Sequence, residues 1–158
     1  MNINSYYLLA KNDYRFLKYV EDTDLYNNIA TQSQQTVEKY LKHIVYEFCV
    51  ENPEAINVLK THNLTKLYRI IMESGIDLEI ERGDLSLLKD YYFNSRYPGD
   101  NFIAVSQQEA RECIDLVELV KEKIEKFLMS RGYCEECGNK LFKLKTCKNH
   151  SCINFNKR

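Results

Sequence analysis

A chain of 158 residues, 44% of them hydrophobic, can bury one ordinary core and support a small appendage, but not two full domains. Five glycines, two prolines and no tryptophan, beside 12 tyrosines, argue against a turn-rich β protein and for long helices on short connections. The net charge is only −1, and no run of about 18 apolar residues offers a membrane-spanning helix.

The opening MNINSYYLLAKNDY has neither the basic start nor the apolar run of a signal peptide, so the expectation is a soluble, cytoplasmic protein without membrane association. Within SYYLLAKNDYRFLKYV, Tyr7, Leu8, Ala10, Tyr14, Leu17 and Val20 recur at intervals that fit one helix face. This first helix is expected to end at the Glu-Asp-Thr-Asp cluster of residues 21–24. From Leu25 to about Val50 a longer stripe runs through Ile29, Val37, Tyr40, Leu41, Ile44, Val45 and Phe48. Asn52-Pro53 closes it, because a residue before proline is pushed out of the α region.

A third, shorter helix is predicted over 61–74, with capping residues at its start, Leu64, Leu67, Ile70 and Ile71 on its apolar face, and Gly75 at its end. A fourth starts near Gly83-Asp84, carries Leu85, Leu88, Tyr91 and Tyr92, and runs to Ser95. Arg96 then precedes a Tyr97-Pro98-Gly99 turn. Ser106-Gln-Gln-Glu109 reads as a capping box for a last helix to about Ser130, whose stripe is Ala110, Cys113, Ile114, Val117, Val120, Ile124, Phe127 and Leu128. Four to five amphipathic helices on short connections predict an all-α, up-and-down bundle.

At Gly132 the periodicity stops, and cysteines and lysines take over, which places a boundary between a body, 1–131, and a tail, 132–158. Charge divides there too: the body holds 16 basic against 21 acidic residues, a balance of −5, and the tail 6 against 2, a balance of +4. Cys49 and Cys113 stand alone, while Cys134-x2-Cys137 and Cys147-x4-Cys152 set a close pair of thiols on each of two turns. Two such pairs can surround a tetrahedral Zn²⁺. Disulfides suit a cytoplasmic chain poorly, and 27 residues have almost no core without a metal. The expected cofactor is a structural zinc on Cys134, Cys137, Cys147 and Cys152 in a zinc-ribbon-like module, with His150 as an alternative to Cys152. Residues 140–145 are expected to form a short strand between the two knuckles. Lys140, Lys143, Lys145, Lys148, Lys157 and Arg158 make the tail attractive to phosphates, although a row of exposed cations also serves solubility.

Four stretches, in order, carry a resemblance: Ala10-x2-Asp13, SQQTVEKYLKHIV at 33–45, THNLTKL at 61–67 and SRYPGD at 95–100. Together they resemble the HEPN domain, a helical-bundle family, over about residues 5–130. Gln35, Glu38, Lys39 and Lys42 fall on the family's Gln-x2-Glu-Lys-x2-Lys run, and Thr61-His62-x-Leu64 on its Thr-His-x-Leu. Read without the family, Glu38 and Lys42 are an i, i+4 ion pair on an exposed face, worth about 0.2–0.5 kcal/mol. His62 reads first as a residue that caps or packs at a helix start, and His43 as structural.

The resemblance implies two kinds of function. Many HEPN domains are metal-independent ribonucleases, dimers in which an arginine is followed four to six residues later by a histidine. Others lack that motif and bind nucleotides or RNA, or partner a small nucleotidyltransferase, often in toxin–antitoxin or phage-defence systems. After Arg96 the chain reads Tyr-Pro-Gly-Asp-Asn-Phe-Ile, with no histidine, so no catalytic residue is assigned and enzymatic activity is left open. Arg96 keeps a guanidinium fork suited to phosphate, with Tyr92 and Tyr97 as stacking surfaces. The expectation is a homodimeric binder of nucleotide or RNA that does not cut it, using Arg96, Tyr97, Tyr92, Lys39 and Lys42. The alternatives are a ribonuclease with a divergent site and an interaction partner of a nucleotidyltransferase.

Overall fold

The computed structural model describes residues 5–142, 146–149 and 152–154 and contains six helices: α1 (Tyr6–Val20), α2 (Tyr26–Phe48), α3 (Ala55–Val58), α4 (Leu64–Glu73), α5 (Arg82–Asn94) and α6 (Gln107–Ser130). All five helices read from periodicity are present. The helix α3 is additional, because four residues span too little of a turn pattern to leave a stripe.

Local chemistry fixes the ends. The Ser5 hydroxyl accepts the Leu8 N–H and starts α1; the Asn63 side chain accepts the Lys66 N–H and starts α4. The expected start of α4 at 61 is therefore early by three residues: Thr61 and His62 lie in the connection, not in the helix. Ser106 and Glu109 form the reciprocal capping box of α6. Helix α2 stops at Phe48, short of Asn52-Pro53, and Asn52 instead turns the chain by accepting the Glu54 N–H.

Helix α2 is the central element and packs against α1, α4, α5 and α6. Ile29, Val37, Tyr40, Leu41, Ile44 and Val45 are buried on it and meet Leu17 of α1, Leu67, Ile70 and Ile71 of α4, Leu85 and Leu88 of α5, and Val117, Val120, Ile124 and Leu128 of α6 in one core. Each such side chain contributes about 1.5–3 kcal/mol by leaving water. A helix enclosed on so many sides also buries Ser33, Gln34, Thr36, Glu38, Lys42 and His43, and these need protein partners in place of water.

Helix α6 closes on a left-handed glycine. Gly132 has φ +76°, its N–H donates to Met129 O, and the Tyr133 N–H donates to Leu128 O. This turn sends the following segment back across α1 and α2. In that segment the described residues form no strand. Tyr133 and Lys140 make an isolated bridge, extended by the Leu141 N–H donating to Gly132 O and the Cys134 N–H to Asn139 O. Of the strand expected over 140–145, residues 143–145 lie outside the described residues. No helix of the described residues is long and apolar enough to cross a membrane.

Candidate functional site

Two groups of chemistry-bearing residues stand apart: a cysteine cluster in the segment after α6, packed against α1 and α2, and a cleft at the C-terminal end of α5.

The sulfur atoms of Cys134, Cys137, Cys147 and Cys152 all lie within 4.8 Å of one another, and all four side chains are buried free thiols. Cys134 and Cys152 are 3.7 Å apart, and Cys137 and Cys147 3.5 Å. A tetrahedral ion with metal–sulfur bonds of about 2.3 Å has sulfur–sulfur edges of about 3.8 Å, so this donor set fits a thiophilic, tetrahedral metal. Burial raises the thiols of Cys147 and Cys152, whereas hydrogen bonds from the Asn139 side chain and backbone offset burial at Cys137 and hold its thiol below the usual range. His150, the alternative ligand, lies outside the described residues, as do Lys143, Lys145, Lys157 and Arg158.

The cluster is fastened to the bundle. The Tyr7 hydroxyl and the Lys11 ammonium both donate to the Glu135 carbonyl, and Lys11 pairs with the Glu136 carboxylate at 2.9 Å. Leu8 packs against the sulfurs. Gly138, at φ +69°, lies so close to the Tyr7 ring and His43 Nε2 that an added Cβ would come within 2.9 Å and 3.1 Å of them. His43 is 4% exposed, stacks obliquely on Tyr7 at 5.1 Å, and burial lowers its imidazole to about 4, so it packs as a neutral ring. The structural reading of His43 holds.

The second group begins with an amide. Asn27, in the first turn of α2, donates to Ser95 O (3.0 Å) and Ile103 O (2.8 Å) and accepts the Val105 N–H (3.0 Å). One side chain thereby ties both ends of the loop between α5 and α6 to α2. The Ser95 hydroxyl pairs with Thr31 Oγ1 at 2.9 Å, and the Ile103 N–H donates to Asn94 O at 2.8 Å. Arg96, which follows Ser95 in that loop, has its guanidinium 4.8 Å from the Tyr92 ring centre and 5.7 Å from that of Tyr97. No carboxylate among the described residues forms an ion pair with Arg96. Arg96 and Tyr97 line a cleft of about 480 Å³ with Phe16 of α1 and Asn28, Thr31, Gln32 and Gln35 of α2, a size within the range of small-molecule sites.

Of the residues assigned to phosphate from the sequence, the structure gathers Arg96, Tyr97 and Tyr92 and places the lysines elsewhere. The ammonium of Lys39 is paired with the Asp13 carboxylate. Lys42 is only 7% exposed and bonds Glu38 at 2.7 Å. The pair is therefore not an exposed surface bridge: a buried carboxylate and a buried ammonium neutralise each other. Glu38 also accepts from Gln34 Nε2 at 3.1 Å and meets His62 Nδ1 at 3.2 Å. His62 in turn stacks on Tyr92, with ring centres 4.9 Å apart and planes 19° from parallel. Its packing role is as expected. Its position beside the ring that carries Arg96 is not visible in the sequence, where 34 residues separate the two.

The sequence reading also passed over Asn27, Asn28, Thr31, Gln32 and Phe16. Polar residues at 28, 31, 32 and 35 do share helical spacing, but 31–36 reads Thr-Gln-Ser-Gln-Gln-Thr, polar at every position, so no single face stood out.

The family model of the HEPN domain matches residues 5–127, which is most of the chain. The chain belongs to the HEPN family. Neither a curated protein nor a solved structure matches it. HEPN membership gives the bundle a nucleotide- or RNA-related function, in a family that is often nuclease or toxin–antitoxin in character. It assigns no role to the four cysteines, which lie beyond the matched residues.

Proposed function

We propose that this HEPN protein binds a nucleotide or single-stranded RNA at the Arg96 cleft, and that a structural zinc in the Cys134, Cys137, Cys147 and Cys152 cluster braces the bundle from which the cleft is built. One observation carries the reading: an exposed guanidinium without a carboxylate partner among the described residues, stacked between two tyrosines beside a polar cleft. A planar fork takes phosphate oxygens in pairs, and the rings give bases a stacking surface. Lys39 and Lys42 serve the fold here, each through its own carboxylate. Binding without cutting follows from the lack of a histidine in 97–103. The family likeness supports a homodimer, a place in toxin–antitoxin or phage defence, and a small nucleotidyltransferase as protein partner, and the reading extends to a soluble, cytoplasmic protein. Fluorescence anisotropy of a labelled RNA oligonucleotide at low salt tests the reading. Arg96→Ala should weaken binding by about tenfold or more, the worth of a charged hydrogen bond, with the melting temperature unchanged. Equal affinity of the two proteins would overturn it.

A second reading, a metal-independent ribonuclease with a divergent site, is favoured by His62. A buried carboxylate holds its Nδ1, its side chain is 52% exposed, and it shares the Tyr92 ring with Arg96. An imidazole so oriented can take the proton of an RNA 2′-hydroxyl as that oxygen bonds to phosphorus and the 5′-oxygen leaves with a proton from water. Incubating cellular RNA with the metal-loaded protein in magnesium-free buffer tests it. Cleavage that disappears in both His62→Ala and Arg96→Ala would establish this reading over the first.

A further inference from the structure

Three amides on α2 are not used in the hydrogen bonding of the bundle. Asn28, Gln32 and Gln35 stand at i, i+4 and i+7, on successive turns of one helix face, and all three line the cleft beside Arg96. Their side chains hydrogen-bond to no other described residue. Their neighbours differ: Asn27 uses both amide atoms to hold the loop, and Thr31 is bonded to Ser95. Free amides on an open surface are ordinary. Three in one wall of a concavity that also carries a guanidinium and two half- to mostly exposed rings, Phe16 and Tyr97, make a constellation with chemical meaning.

A phosphate needs none of these amides as a set, since each offers an acceptor oxygen beside its donor nitrogen. A nucleobase edge does, because it presents donor and acceptor side by side in one plane, the complement of an amide. The geometry points to a cleft that takes one unpaired nucleotide, with its phosphate on Arg96, its base against Phe16 or Tyr97, and its base edge on Gln32 and Gln35, and that favours adenine. Adenine is favoured because an exocyclic amine flanked by a ring nitrogen occurs on both edges an amide can meet. Guanine offers two acceptors on its N7 edge, cytosine has one such edge only, and uracil carries no exocyclic amine. This inference rests on the nucleotide-binding reading above and adds the base and the residues that select it. The shared ligand chemistry is an adenine nucleotide, whether free or within an RNA strand.

The test is calorimetric titration of the metal-loaded full chain with AMP, GMP, CMP, ribose 5-phosphate and hexaadenylate. The expected result is AMP or hexaadenylate binding on the order of tenfold more tightly than ribose 5-phosphate, GMP or CMP. The double substitution Gln32→Ala, Gln35→Ala should bring AMP to within about twofold of ribose 5-phosphate. The tighter of AMP and hexaadenylate identifies the source of the nucleotide. Equal binding of AMP and ribose 5-phosphate to the unmodified protein, a preference for GMP or CMP, or an AMP preference that survives the double substitution would overturn the base assignment while leaving the Arg96 phosphate site standing. Failure of every probe to bind would remove the nucleotide reading and this inference together.

Discussion

Glu38 is the residue on which the interior of α2 depends. It answers Lys42, Gln34 and His62 at once, so removing it leaves a buried ammonium without a counter-charge. Glu38→Met should cost about 3–5 kcal/mol in denaturant unfolding, whereas Glu38→Met with Lys42→Met should recover most of the loss, because replacing both charges avoids the unpaired one. His43 gives the fold a pH dependence. Its folded value, about 4, lies below the ordinary 6.5, so between those limits the unfolded chain binds a proton that the folded chain refuses. Its contribution is complete above about pH 6.5 and is lost as the pH falls toward 4. Between pH 6.5 and pH 5 the protein should therefore lose about 2 kcal/mol more than a His43→Gln variant. The difference between their melts, at equal metal content, is the readout. Neither residue's environment was legible beforehand. The i, i+4 spacing of Glu38 and Lys42 gave the pair but not its burial, since burial comes from α4 and the His62 connection folding over that face.

The connection between α5 and α6 is a loop in name only, because Asn27 clamps it at Ser95, Ile103 and Val105. Asn27→Ala removes three hydrogen bonds that bear on the position of Arg96 while leaving the apolar core intact. Ligand affinity should fall about as far as in Arg96→Ala, with a change in melting temperature of only a few degrees, and hydrogen exchange should rise first at 95–105. Affinity at the unmodified level would mean that the loop holds its place without α2. At this scale the sequence was most informative: the stripes of α1, α2, α4, α5 and α6, and the Ser106–Glu109 capping box, are the patterns a one-sided core imposes. What it withheld was α3, too short for a period, and the start of α4, where Thr61 and His62 resembled caps but Asn63 is the residue that caps.

On the scale of the whole molecule, the cysteine cluster and the cleft share helices. Helix α1 meets the cluster through Tyr7, Leu8 and Lys11, then reaches Lys39 through Asp13 and the cleft through Phe16. On the proposed structural zinc, treatment with a zinc-selective chelator should lower the melting temperature and expose the first turns of α1 to hydrogen exchange. Gly138→Val, which drives carbon into Tyr7 and His43, should loosen the same docking with the metal still bound. The paired spacing of the cysteines disclosed the cluster of four buried thiols that could hold a metal, since metal ligands must cluster in sequence where no core exists to bring distant ones together. The cleft was disclosed only in Arg96 and Tyr97, because its other wall comes from a helix 60 residues away. The most direct test of the central claim is nuclear magnetic resonance mapping of AMP on the ¹⁵N-labelled, metal-loaded protein. The Arg96 Nε–H and the side-chain amides of Gln32 and Gln35 should shift together, saturably, while the backbone amides around Cys134 and Cys137 stay in place. Shifts confined to the basic tail, or none at Arg96, would contradict that claim.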